Sequence, residues 1–121
     1  MSRFAHLAVA LLLLGALASP ASAHALLRKA IPGVGSTVHA PPATVTLLFS
    51  EGVESAFSTI AVTDAAGARV DAGAPDTAPG DAKTLIVALK PLGAGVYTVE
   101  WHATSVDTHK TEGKFTFTVA P

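Results

Sequence analysis

From residue 44 to the end of the chain, apolar and polar positions alternate in short runs broken by Gly, Pro and Asp, and no long stretch carries a helical stripe. "TVTLLF" (44–49) follows Pro41-Pro42 and ends at the polar "SEGVES". "STIAVT" (58–63) leads into the turn-like "DAAG" (64–67), and "ARVDA" returns from it. "KTLIVAL" (83–89) predicts a further strand, with "KPLGAG" as the connection that follows. In "VYTVEWHA" (96–103), Tyr97, Val99 and Trp101 face one way while Thr98, Glu100 and His102 face the other. "KFTFTV" (114–119) repeats the pattern, with Phe115, Phe117 and Val119 inward. The small residues and turn formers of "GAPDTAPGDA" (73–82) read as a surface loop. Strands with one apolar and one polar face describe an antiparallel two-sheet sandwich of about seven strands. Phe49, Phe57, Tyr97, Trp101, Phe115 and Phe117 are its expected aromatic core, and "LGAGVYTVEW" resembles the tyrosine corner of immunoglobulin-like sandwiches.

The first 23 residues break this pattern. Met1-Ser2-Arg3 is a short basic start, an apolar run follows, and Pro20 precedes the small triplet Ala21-Ser22-Ala23. This is the layout of a secretory signal peptide cleaved after Ala23. The apolar run is shorter than the roughly 20 residues a spanning helix needs. The expectation is a cleaved segment, residues 1–23, and a single exported domain, residues 24–121. Net charge is −1 with histidines neutral and no basic block is present, so nucleic acid is not an expected partner. Cysteine is absent, so an exported domain here is held without disulfides.

Cleavage after Ala23 changes the chemistry of His24. As a first residue it carries a free α-amine beside its imidazole, and the amine and Nδ1 can close a six-membered chelate ring on one metal ion. An α-amine titrates at roughly 7.7–8, so a divalent metal can displace its proton near neutral pH. The second feature is "SVDTHKTEG" (105–113), between the two clearest strands. In extended backbone, Asp107 and His109 project to the same face, so a carboxylate and an imidazole could converge on one ion. The two features together offer three nitrogens and one oxygen. That set suits a tetragonal Cu(II) site, and zinc could use the same atoms in a tetrahedron. Cu(I) is poorly served, because there is no Cys and the one Met is the initiator. Of the other histidines, His6 leaves with the signal peptide, His39 reads as a solvated loop residue, and His102 as an outward strand residue.

The sequence also resembles the CopC-like periplasmic copper-binding family. "HALLRKAIPGVGSTV" is similar to the opening of those proteins, and "VTLLFSEGVESAFSTIAV" to their strand, Phe-Ser-Glu and strand. "LGAGVYTVEWHATSVDTHKTEGKFTFTV" carries their Gly-x-Tyr-x-Val-x-Trp strand, Ser-x-Asp-x-His loop and Gly-x-x-x-Phe-x-Val finish. The resemblance implies an all-β Greek-key sandwich in the periplasm. It implies one Cu(II) per chain, bound by the His24 amine and ring, Asp107 and His109, with Glu51 close to the metal. Some relatives carry a Met-rich loop with a Cu(I) site after the strand matching "STIAVT"; here that place reads "DAAGARVDAGAP", so no Cu(I) site is expected. The implied role is copper tolerance, storage or delivery, by a monomer, to an inner-membrane copper transport protein.

Two other functions use the same residues differently. An N-terminal histidine with a second histidine also forms the brace of copper-dependent polysaccharide monooxygenases, which makes a copper oxygenase the first alternative. Asp107 would take a position that oxygen needs, and no exposed aromatic row suggests a glycan platform. The second is an immunoglobulin-like adhesion or structural module, which leaves the pairing of His24 with the Asp107-x-His109 loop unexplained.

Overall fold

The computed structural model describes residues 24–121; the expected signal peptide, residues 1–23, lies outside the described residues. The strands are β1 (Leu27–Ile31), β2 (Thr37–Val38), β3 (Thr44–Phe49), β4 (Thr59–Thr63), β5 (Asp71–Ala78), β6 (Asp81–Leu89), β7 (Gly95–Thr104) and β8 (Lys110–Val119). One sheet runs in the order β1-β3-β6-β5 and the other β2-β8-β7-β4. Every pair is antiparallel except β2 with β8, where Thr37–Val38 lies parallel against Thr118–Val119. The expected all-β sandwich is therefore the one observed, with the short β2 as an addition to it.

The alternation seen in the sequence sets which side chains meet between the sheets. Val45, Leu47 and Phe49 of β3 and Leu85 and Val87 of β6 face Ile60 and Val62 of β4, Val99 and Trp101 of β7, and Phe115 and Phe117 of β8. Each buried side chain of this size contributes about 1.5–3 kcal/mol relative to exposure. Trp101 meets Phe49 edge to face, with ring centroids 5.1 Å apart, and Tyr97 stacks on Phe117 at 5.4 Å. The Tyr97 hydroxyl donates to the Gly93 carbonyl at 2.7 Å, which closes the expected tyrosine corner. Where the sheet edges meet, the Asp71 carboxylate accepts from Val62 N–H of β4 at 2.9 Å and from Nε and Nη2 of Arg69, each at 2.7 Å. The Arg69 hydrogen bonds hold the Asp71 carboxyl below its ordinary range.

Two expectations are corrected. Residues 73–82 are not a loop: Asp71–Ala78 forms edge strand β5, which turns through Pro79-Gly80 onto β6. The strand is bulged between Ala72 and Asp76, with Gly73 at φ 89°, and none of its residues is buried. An edge strand has a free side, so it accommodates the Pro75, Gly73 and Asp76 that read as loop signals. Phe57 is not core; it is 73% exposed, on the 3₁₀ turn Ser55–Phe57. The phase set by Ile60 and Val62 points even-numbered residues inward, so Ser58 is buried and Phe57 is outside. His39 is exposed as expected, with its Nδ1 2.9 Å from the Ala120 carbonyl.

Candidate metal centre

The β7–β8 connection owes its shape to Ser105. Its backbone N–H donates to the His109 carbonyl at 2.8 Å and its carbonyl accepts from Thr108 N–H at 2.8 Å, which closes a tight turn over Val106–Thr108. The Ser105 hydroxyl donates to Asp107 Oδ1 and accepts from His109 N–H at 3.1 Å. Serine and aspartate hydrogen-bond locally in this way, which is why the segment turns at once instead of extending β7. Thr108 sits at φ 73°, a left-handed conformation unusual for a β-branched residue, and its hydroxyl donates to the Asp107 carbonyl at 2.6 Å. Asp107 and His109 do converge, with Asp107 Oδ1 3.3 Å from His109 Nδ1. They do so through the turn, not through the extended backbone that the sequence suggested.

The start of the described chain is laid over this turn. Ser50, after β3, donates its backbone N–H to the Leu26 carbonyl at 2.8 Å. Its hydroxyl accepts from Leu26 N–H at 2.9 Å and donates to the His24 carbonyl at 3.3 Å. From the other side the Thr111 hydroxyl donates to the Ala25 carbonyl at 2.8 Å, and Ala25 is fully buried. His24 is thereby delivered onto His109, ring centroid to ring centroid at 4.9 Å and 24° from parallel.

His24, Asp107 and His109 thus share one rim of the sandwich, and the Asp107 and His109 side chains are about half exposed. The Ser105 hydroxyl, more than the neighbouring His109, holds the Asp107 carboxyl below its ordinary range, so it is an anion at neutral pH. No three His, Cys, Asp or Glu side chains among the described residues form a ready-made metal cluster. At this rim the two rings are stacked, and because imidazole lone pairs lie in the ring plane, two near-parallel rings do not aim at one point. One of the rings must turn for both to reach a shared ion. The fourth expected donor is the nitrogen of His24, which is an amide in the full-length chain.

Glu51 lies between the two arms. Ser50 on one side holds the N-terminal segment, and the Gly52 carbonyl on the other accepts from Val106 N–H at 3.0 Å. Its own carboxylate is exposed and makes no hydrogen bond or ion pair seen among the described residues. His102 stands elsewhere, on the outer face of β7, with Glu112 3.3 Å from Nδ1 and Glu100 3.6 Å from Nε2. Ser50 and Ser105 stand in the Phe-Ser-Glu and Ser-x-Asp-x-His motifs of the sequence without a role attached to them, and Thr111 is unmarked. A Ser-x-Asp spacing signals a local hydroxyl–carboxylate turn, whereas nothing in the sequence marks Ser50 or Thr111 as partners of residues 24–26.

The family model of the CopC domain matches residues 27–120. The chain belongs to the CopC family. Protein YobA of Escherichia coli (strain K12) is 43% identical over 98 residues, which cover 80% of this chain and 79% of that protein. Among solved structures, CopC from Methylosinus trichosporium OB3b superposes with a TM-score of 0.76 at 35% identity, covering 81% of this chain and 95% of that one. PcoC from Escherichia coli, described as a methionine-rich copper resistance protein, gives a TM-score of 0.71 at 34% identity, covering 81% of this chain and 100% of its own. This CopC family chain departs from such a description: its one methionine is Met1.

Proposed function

We propose that this chain is an exported copper-binding protein that carries one Cu(II) ion and serves copper tolerance, storage or delivery. In this reading residues 1–23 are a signal peptide removed on export to the periplasm, and the protein begins at His24. The His24 amine and ring, the Asp107 carboxylate and the His109 ring bind the ion, with Glu51 near it. The observation that carries the reading is the convergence of His24 and His109, from opposite ends of the domain, beside the Asp107 carboxylate. Membership of the CopC family and the copper resistance description of PcoC support it.

The protein works by coordination and ligand exchange, not by turnover. Three nitrogens and one carboxylate oxygen favour Cu(II), and with neither Cys nor a Met beyond the initiator the chain lacks the soft ligands that Cu(I) wants. A half-exposed rim site lets a second protein reach the ion and take it by replacing ligands one at a time. An inner-membrane copper transport protein is the partner that fits this role, met by a monomer of this chain.

The test is a Cu(II) titration of protein beginning at His24, with electron paramagnetic resonance, beside a control carrying one extra residue before His24. One tight equivalent with a tetragonal, nitrogen-rich spectrum, weakened in the control, is the expected result. Equal weak binding by both forms would overturn the reading.

A further inference from the structure

We infer that two serine hydroxyls, Ser105 and Ser50, are the positioning residues of this site, one for each arm that carries ligands. The inference rests on the proposed assignment of His24, Asp107 and His109 as copper ligands. Neither serine is assigned a coordinating role; each acts through the residues it holds.

Ser105 has no exposed surface, so its hydroxyl is no ligand for an ion at the rim. A hydroxyl has one proton to give and lone pairs to accept with, and here both capacities go to the loop. The proton goes to Asp107 Oδ1 and a lone pair takes the His109 N–H. One buried atom therefore fixes the carboxylate and the main chain of the imidazole-bearing residue relative to each other. Oδ1 is also the oxygen 3.3 Å from His109 Nδ1, so it carries both close contacts and leaves Oδ2 as the free donor. The half-exposed Asp107 side chain would otherwise sample many rotamers, and holding it in advance removes that entropy cost from metal binding.

Ser50 does the equivalent for the other arm. Its hydroxyl bridges the Leu26 N–H and the His24 carbonyl, spanning the main chain on both sides of Ala25. Chain termini are poorly ordered unless tied down, and this tie sets where residue 24 can place its amine and ring. Partners that orient metal ligands from behind typically matter by about 10–100-fold in affinity.

The experiment compares processed wild-type protein with Ser105→Ala, Ser105→Thr and Ser50→Ala. Cu(II) is titrated against a competing chelator, spectra are taken of the copper-loaded forms, and unfolding midpoints are measured on the metal-free forms. Each alanine variant is expected to bind Cu(II) about 10–100-fold more weakly, with altered hyperfine splitting, while folding normally. Ser105→Thr, which keeps the hydroxyl, is expected to recover most of the affinity and the wild-type spectrum. Alanine variants whose folded fraction binds with wild-type affinity and spectrum would overturn the inference alone. Wild-type protein without stoichiometric copper would overturn the ligand assignment and this inference with it. Should Ser105→Ala fail to fold, Ser50→Ala decides by the same readouts.

Discussion

His102 and His109 both stand beside carboxylates on the same chain, and their settings differ in three respects. His102 projects from the regular part of β7, with Glu112 directly across on β8 and Glu100 on its own strand. Its two ring nitrogens face two different carboxylates, so the acidic oxygens lie on opposite sides of the ring. A metal bound to one nitrogen could then reach only one of them. His109 presents only Nδ1 to a carboxylate, and a second imidazole lies against its ring. Behind it is the buried Ser105, whereas His102 lies on an open sheet face. A donor set is not yet a site. The donors must lie on one side of the ring, and something out of reach of solvent must hold them there.

The largest expected effect breaks the pair apart directly. His109→Ala should weaken Cu(II) binding by about 100-fold or more, equivalent to roughly 2.8 kcal/mol. His102→Ala should change it by less than about threefold, since removing an exposed group outside the site leaves the donors in place. Chelator-competition titration of both variants checks this, and equal losses would abolish the distinction. Next in size is Gly113→Ala, which tests the rigid sheet on which His102 stands. A Cβ there would meet the Trp101 ring at 2.6 Å, so overpacking should cost about 1–3 kcal/mol. For a domain of this size the unfolding midpoint should fall by about 4–8 °C for each kcal/mol; an unchanged midpoint would show that the ring yields without cost. The smallest effect probes the turn that holds His109. Asn tolerates the left-handed region where Thr108 sits, so Thr108→Asn should stabilise by up to about 1 kcal/mol. Denaturant unfolding at constant slope would register it as a higher midpoint, and a lower one would mean that the Thr108 hydroxyl outweighs the strain.

Much of the fold was legible because the core is written with period two. Tyr97, Val99 and Trp101, then Phe115, Phe117 and Val119, are buried as their spacing demands. β5 was not legible, because an exposed edge strand makes few demands on side chains and tolerates the Pro and Gly that elsewhere end a strand. Phe57 misled because hydrophobicity alone does not fix phase; the register of Ile60 and Val62 does. At the candidate site the sequence named His24, Asp107 and His109 and the structure gathers them at one rim, but the reason offered for the last two was an extended backbone where there is a turn. Ser50 and Thr111 were illegible because their hydrogen bonds reach residues 24 and 86 positions away. No local pattern records contacts of that kind.

The fastening of residues 24–26 has one more consequence, for the durability of the chain end. An aminopeptidase must draw a free, extended N-terminus into its active site before it can cut. Ser50 and Thr111 hold the main chain of His24, Ala25 and Leu26 against the sandwich by four hydrogen bonds. In the processed form proposed above, with His24 as the first residue, the tether that sets its place would also hold it back from such an enzyme, so a residue whose proposed chemistry depends on one cleavage would be guarded against the next.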